Sequence, residues 1–214
     1  MKRILLSLAL IALVSSVTVG ATRAYFSDTE TSSGNTFSAG TLDLQVDGKD
    51  DPNVVHVTMS NMKPGDSASY SWTLSNTGSL SGKPWVEITN VKNYDNGCND
   101  PEQASPDSSC GNPGLGEGEL GGNLMMKLNA PGSVGYVYPH GASCTDGGSK
   151  CSLDYWSGLG RIDETVDGQV WDTIAPTSTL AGPMVLEFTV PSTAGNIIQS
   201  DSVEFDVVFH LEQT

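Results

Sequence analysis

Val203-Glu204-Phe205-Asp206-Val207-Val208-Phe209-His210-Leu211-Glu212, close to the C-terminus, decides the fold class. Val203, Phe205, Val207, Phe209 and Leu211 fall on one side of a two-residue repeat, and Glu204, Asp206, Val208, His210 and Glu212 fall on the other. That is the pattern of a strand with one buried and one solvated face. Just upstream, Met184, Leu186, Phe188 and Val190 alternate with Val185, Glu187 and Thr189 in the same way. Two half-buried strands in succession near one terminus point to antiparallel pairing.

The same period runs through the other end of the chain. Leu42, Leu44 and Val46 alternate with Thr41, Asp43, Gln45 and Asp47; Val55, Val57 and Met59 alternate with Val54, His56 and Thr58; and Tyr70, Trp72 and Leu74 alternate with Ser69, Ser71 and Thr73. Between the last two sets stands Asn61-Met62-Lys63-Pro64-Gly65-Asp66. Proline presets φ and glycine supplies φ > 0 at the centre of a turn, so the flanking strands are expected to form a two-strand unit. Asn76-Thr77-Gly78-Ser79 ends that run, and Trp85 to Val91 begins another strand. No long amphipathic helix interrupts the series. The expected fold is all-β, a jelly-roll-like antiparallel sandwich.

The middle differs. From Asn93 to Gly122 the chain is Gly, Pro, Asn, Asp and Ser with few apolar residues, and Gly141 to Lys150 is similar; such composition cannot bury a core of its own. A loop-rich insertion over about 93–150 is expected. Its four cysteines, Cys98, Cys110, Cys144 and Cys151, are the only ones in the chain. Four cysteines allow three connectivities that sequence does not separate. Short-range links, Cys98 to Cys110 and Cys144 to Cys151, are the expectation, because each would order an apolar-poor loop. The competing reading is a zinc site, yet the spacings exceed C-x₂₋₄-C and only His140 lies nearby.

The chain begins Met1-Lys2-Arg3, runs apolar from Ile4 to Val19, and then reads Thr22-Arg23-Ala24-Tyr25. A basic start, an apolar stretch and small residues before a junction mark a secretory signal peptide over residues 1–24, cleaved between Ala24 and Tyr25; a retained membrane anchor is the alternative. Removal takes Lys2, Arg3 and Arg23 and no acid, moving the formal charge from −15 by three units to −18. Nucleic acid and anionic lipid need clustered Lys and Arg and are excluded as partners, and membrane contact is confined to export. Residues 25–40 carry a Thr/Ser run from Thr29 to Ser33 and little apolar content. An extended segment of that kind needs something outside itself to hold it.

Several blocks carry a family resemblance. Ala24-Tyr25-Phe26-Ser27-Asp28, Asn35-Thr36-Phe37-Ser38-Ala39-Gly40-Thr41-Leu42-Asp43-Leu44, Met59 to Asp66, Leu74-Ser75-Asn76-Thr77-Gly78-Ser79-Leu80 and Asn196 to Val203 resemble the TasA/camelysin family of exported surface and biofilm-matrix fibre proteins, archaeal bundling-pilus-like subunits included. The resemblance implies a jelly-roll sandwich over residues 41–214, maturation by a dedicated signal peptidase, and assembly into a head-to-tail homopolymer outside the cell. It also implies that Tyr25, Phe26, Ser27, Asp28, Thr29, Glu30, Thr31 and Phe37 form a donor strand that completes the sheet of the next subunit, anchored by Phe26 and Phe37. The cysteine-bearing loops have no counterpart in the family pattern.

Camelysin-type members are described as metallopeptidases, so a catalytic reading is weighed. Zinc hydrolysis needs ligands in a compact arrangement with a base, as H-E-x-x-H supplies on one helical face. His56, His140 and His210 lie far apart in sequence, and no nucleophile elbow, P-loop or dinucleotide fingerprint occurs. No enzyme activity and no cofactor are expected. For Ca²⁺, Asp47-Gly48-Lys49-Asp50-Asp51 and Asp95-Asn96-Gly97-Cys98-Asn99-Asp100 offer suitable oxygens without EF-hand spacing, and read equally as Asx-rich turns. Of Trp72, Trp85, Trp156 and Trp171, Trp156 is the candidate for a surface carbohydrate platform. The reading favoured is a structural filament subunit; the alternatives are a monomeric cell-surface binding module and a camelysin-type metallopeptidase.

Overall fold

The computed structural model describes residues 40–105, 107, 109–132, 151–163 and 170–214. The signal segment, the junction at Ala24 and Tyr25, the strand Tyr25 to Phe37, Val134 to Tyr138, His140 and Cys144 lie outside these residues. Gly40–Thr214 forms one compact unit.

Its strands are β1 (Leu44–Val46), β2 (Val54–Ser60), β3 (Ser67–Trp72), β4 (Leu74–Asn76), β5 (Gly82–Asp95), β6 (Gly114–Leu115), β7 (Met125–Asn129), β8 (Ser178–Thr179), β9 (Met184–Thr189) and β10 (Ser202–Gln213). They make three antiparallel sheets, ordered β2-β10-β5-β6, β3-β9-β7 and β1-β4-β8. The long pair β5 and β10 forms the centre of the first sheet, as the alternation in both segments requires. Val203, Phe205, Val207 and Phe209 point inward and are buried, as are Met184, Leu186 and Phe188 from β9 and Val190 just after it. The two faces meet through Phe188 and Phe205, 5.5 Å between ring centroids, and through Trp72 and Phe209, 5.3 Å apart. Aromatic contacts across a single core are what a two-layer sandwich produces.

Pro64 and Gly65 make the expected turn. Gly65 has φ +93°, and the Asp66 N–H donates to the Lys63 carbonyl at 2.9 Å. The strands on either side do not pair with each other. β2 is hydrogen-bonded to β10 and β3 to β9, so the turn is an arch that carries the chain from one sheet to the other. Alternation plus a tight turn suits a hairpin and an arch equally; the wider partner strands β9 and β10 decide between them.

The two sides of the sandwich differ as a result. On one, the far edge of β5 is covered by β6 and by bridges from Val86 to Ile162 and Gly82 to Ile174, while β7 is bridged by Met125 to Ser152. On the other, β2 and β3 are both edge strands, and among the described residues nothing pairs with their outer edges. Three short helices, α1 (Asp100–Gln103), α2 (Leu120–Asn123) and α3 (Leu153–Ser157), are found among the described residues. α3 packs on β5, β7 and α2.

The region from Asn93 is more structured than its composition suggests. β5 runs on to Asp95, and α1 is fixed by a full capping box in which Asn99 and Glu102 satisfy each other's backbone N–H. Glu102 is buried because its Oε1 also accepts the Ser200 N–H at 2.7 Å. Polar anchors, invisible to a hydrophobic pattern, dock this segment on the sandwich.

Candidate functional site

The chain enters the domain at Gly40, and residues 76–80 clasp it there. The Asn76 carboxamide, fully buried, donates to the Leu80 and Ile174 carbonyls at 2.7 and 3.3 Å and accepts from Gly78 N–H at 3.0 Å. Every polar position of that side chain is used, as burial demands. The turn so formed receives the incoming strand: Thr77 N–H donates to the Asp43 carbonyl at 2.8 Å, and Ser79 and Leu80 N–H donate to the Thr41 carbonyl at 2.8 and 3.0 Å. Thr41 N–H returns a bond to Ser79 Oγ at 2.9 Å. A Cβ on Gly78 would stand 2.3 Å from the Thr41 carbonyl oxygen. Glycine is required there by close approach. The clasp fixes residues 41–43 against residues 77–80.

The second element is the open seam between β2 and β3. Val55, Ala68 and Tyr70 face the core from these edges yet are only partly buried. Tyr70 stacks on Trp72 with centroids 6.1 Å apart and meets Phe188 edge-on at 6.0 Å. At the end of the seam where β2 begins and β3 ends, a groove of about 440 Å³ is lined by Val46, Lys49, Pro52, Val55 and Trp72 among others. This side therefore combines edge amides and carbonyls that have no pairing strand among the described residues, half-covered apolar side chains and a groove.

On the covered side lies an acidic cluster. Asp95 is 4% exposed and Asp201 1%. Asp201 Oδ2 accepts the N–H groups of Glu119 and Leu120 at 2.6 and 3.0 Å. Burial nevertheless pushes its carboxyl up to about 7, and the charges of Glu119 and Asp95 push the same way. Glu119 is raised as well, first by burial and then by Asp107. Cys98 and Cys110 are joined beside this cluster with Cα atoms 4.9 Å apart, and Cys151 is also disulfide-bonded.

The described histidines do not form a metal centre. His56 Nδ1 lies 2.8 Å from Asp206 Oδ1 on the outer face of the β2/β10 pair, and hydrogen bonds from Asn90 and His56 hold the Asp206 carboxyl below its usual range. His210 stacks on Trp85 at 3.6 Å, and burial holds its pKa down. On β10 they sit beside residues four positions apart, roughly 13 Å along a strand. Cys98, Asp107 and Cys110 are the one close group of metal-ligand types among the described residues, and its sulfurs form the disulfide. In the first Asp-rich loop, Asp47 accepts the Thr73 N–H, Asp50 the Gln45 amide and Asp51 the Asn53 amide. That loop is an ordinary turn.

Trp156 is fully buried, at 0% exposure, which overturns its reading as a surface platform. It lies on α3, whose Leu153 and Trp156 share the buried face at a spacing of three. Trp72 and Trp171 are buried too, and the Trp85 ring is occupied by His210 and by the Arg161 guanidinium, 4.8 Å from its centroid.

No curated protein matches this chain. A family model does: the one described as camelysin metallo-endopeptidase matches residues 1–103. That span holds both halves of the clasp, the arch and both open edges, and it ends at the last residue of α1, inside the insertion. The match lies over the motifs that build the clasp and the seam, and across residues 1–103 the chain is similar to the camelysin metallo-endopeptidase family.

Proposed function

We propose that this protein is the structural subunit of an extracellular filament, joined head to tail when the N-terminal segment of one subunit pairs with the open seam of the next. The observation that carries the reading is the arch at Lys63–Asp66. By sending β2 and β3 to different sheets it leaves two edges without a pairing strand among the described residues, while the opposite edges are covered by β6 and by Ser152, Ile162 and Ile174. A strand added there gains a ladder of backbone hydrogen bonds, and a heterologous contact that does not close on itself propagates as a fibre. Phe26 and Phe37 are suited to covering Val55, Ala68 and Tyr70. Export and removal of residues 1–24 free Tyr25 as the donor's first residue, and the clasp holds the donor's base rigidly to its own subunit.

Peptidase activity belongs to the description of the family model. The described residues supply no ligand set for it beyond the disulfide pair and Asp107.

The acceptor edge is tested with a peptide of residues 25–40 added to protein lacking residues 25–36. Hydrogen exchange is expected to slow in Val54–Ser60 or Ser67–Trp72. Protection confined to other strands refutes the edge assignment.

A further inference from the structure

Residues 93–126 of the insertion gather carboxylates with no basic residue of their own. Between residues 93 and 126 the chain has six acids, Asp95, Asp100, Glu102, Asp107, Glu117 and Glu119, and no Lys, Arg or His; residues 191–209, which pack against it, have no basic residue either. Glu102 is fully satisfied, by Asn99 and Ser200. Asp95 and Glu119 are not. Asp95 Oδ1 accepts the Gly97 N–H at 2.8 Å, but its Oδ2 is buried without a partner, and so is Oε2 of Glu119. Glu119 Oε1 is 3.2 Å from Ser109 Oγ, which also donates to Asp107 at 2.7 Å. Asp95 and Glu119 lie close enough to Asp201 for both to act on it electrostatically, and each of these interactions is repulsive.

A buried carboxylate oxygen without a hydrogen bond or counter-ion is costly, and several facing one another more so. We propose that Asp95, Glu119 and Asp201, with Asp107 at the rim, bind a Ca²⁺ ion that fastens the Cys98–Cys110 loop to the approach of β10. The ligands come from three separate segments, the end of β5, the start of α2 and the turn before β10. One ion therefore ties the insertion to the sandwich where the disulfide only closes the loop on itself. Outside Cys98, Asp107 and Cys110, the acidic, His and Cys side chains described bring no three ligand atoms within 4.8 Å of one another, so the carboxylates draw in around the ion. Glu119, partly exposed and with a free Oε2, moves furthest. Ca²⁺ suits such a site because it accepts irregular shells of six to eight oxygens, waters included, whereas Mg²⁺ demands a near-ideal octahedron; extracellular Ca²⁺ modules work with Kd of about 10⁻⁴ to 10⁻³ M.

The test is calorimetric titration of chelator-treated protein with CaCl₂, with MgCl₂ as control, together with melting in each. Saturable Ca²⁺ binding in the range of about 10⁻⁴ to 10⁻³ M is expected, with Mg²⁺ at least about tenfold weaker and Tm raised by Ca²⁺ alone. D95N removes the buried unpartnered charge. In chelator it should melt no lower than the parent, and its Ca²⁺ affinity should fall by about tenfold or more. E119Q, at a less buried position, should lose affinity likewise and decides the matter if D95N does not fold. Absence of saturable Ca²⁺ binding up to about 10 mM, or parental affinity in the folded variants, overturns the proposal. Neither result depends on whether filaments form.

Discussion

Gly78→Ala puts the clasp under direct strain. An ideal Cβ there stands 2.3 Å from the Thr41 carbonyl oxygen, 2.8 Å from the Asp43 nitrogen and 2.9 Å from the Leu42 Cα, where ordinary contacts begin at 3.4 Å. All three atoms are backbone, so no rotamer change relieves the clash. Segment 41–43 must move by about an ångström. The bonds from Thr77, Ser79 and Leu80 to Asp43 and Thr41, now 2.8 to 3.0 Å, then lengthen or break. At a net 0.5–1.5 kcal/mol each, losing the three costs about 2–4 kcal/mol, and a protein of this size should melt roughly 5–15 °C lower. Urea unfolding followed by tryptophan fluorescence gives the first number. Hydrogen exchange at the amides of Thr77, Ser79 and Leu80 localises it. If G78A unfolds within about 0.5 kcal/mol of the parent and those amides stay protected, the close approach is not what fixes this glycine.

Three further outcomes are expected. In chelator, Asp201, raised to about 7, contributes stability that is fully present below about pH 4 and lost as pH rises toward 7, because the folded state holds the proton more tightly than the unfolded one; the Tm difference between the parent and D201N should stay constant between about pH 4 and 7 if that carboxyl titrates normally. Asp206 has the opposite sign, its pKa being lowered by Asn90 and His56; its contribution is present above about pH 4 and lost on acidification, and D206N should change stability by less than about 1 kcal/mol because the pair is exposed. Replacing Cys98 and Cys110 by alanine opens a loop with a separation of 12 and should cost about 3 kcal/mol if the loop unfolds with the domain; an unchanged midpoint would mean that the insertion opens independently.

Alternation made β9 and β10 legible, since each presents three or more apolar residues to one face of a continuous strand. The turn at Pro64-Gly65 was legible for the same local reason. Partnership was not: β2 and β3 look alike whether they pair with each other or with β10 and β9, and only the longer apolar faces of those partners settle it. Trp156 was misread because five residues of helix give too short a window for a period of 3.6 to show. The docking of residues 93–123 rests on Glu102, Asn99, Ser200 and Asp201, and hydrogen-bonding carboxylates carry no periodic signature. The acidic cluster was partly visible, in that Asp95 stands in one of the two Asx-rich stretches, but Glu119 and Asp201 join it only through the fold. Asn76 and Gly78 could be read from sequence as a strand break, whereas their role in holding residues 41–43 needed the structure.

Electron microscopy of the mature protein beside a version lacking residues 25–36 tests strand exchange most directly. The mature protein should form filaments, and the truncated one should stay a folded monomer whose seam is capped by added peptide of residues 25–40. Normal filaments from the truncated protein would contradict strand exchange and place the interface elsewhere on the sandwich.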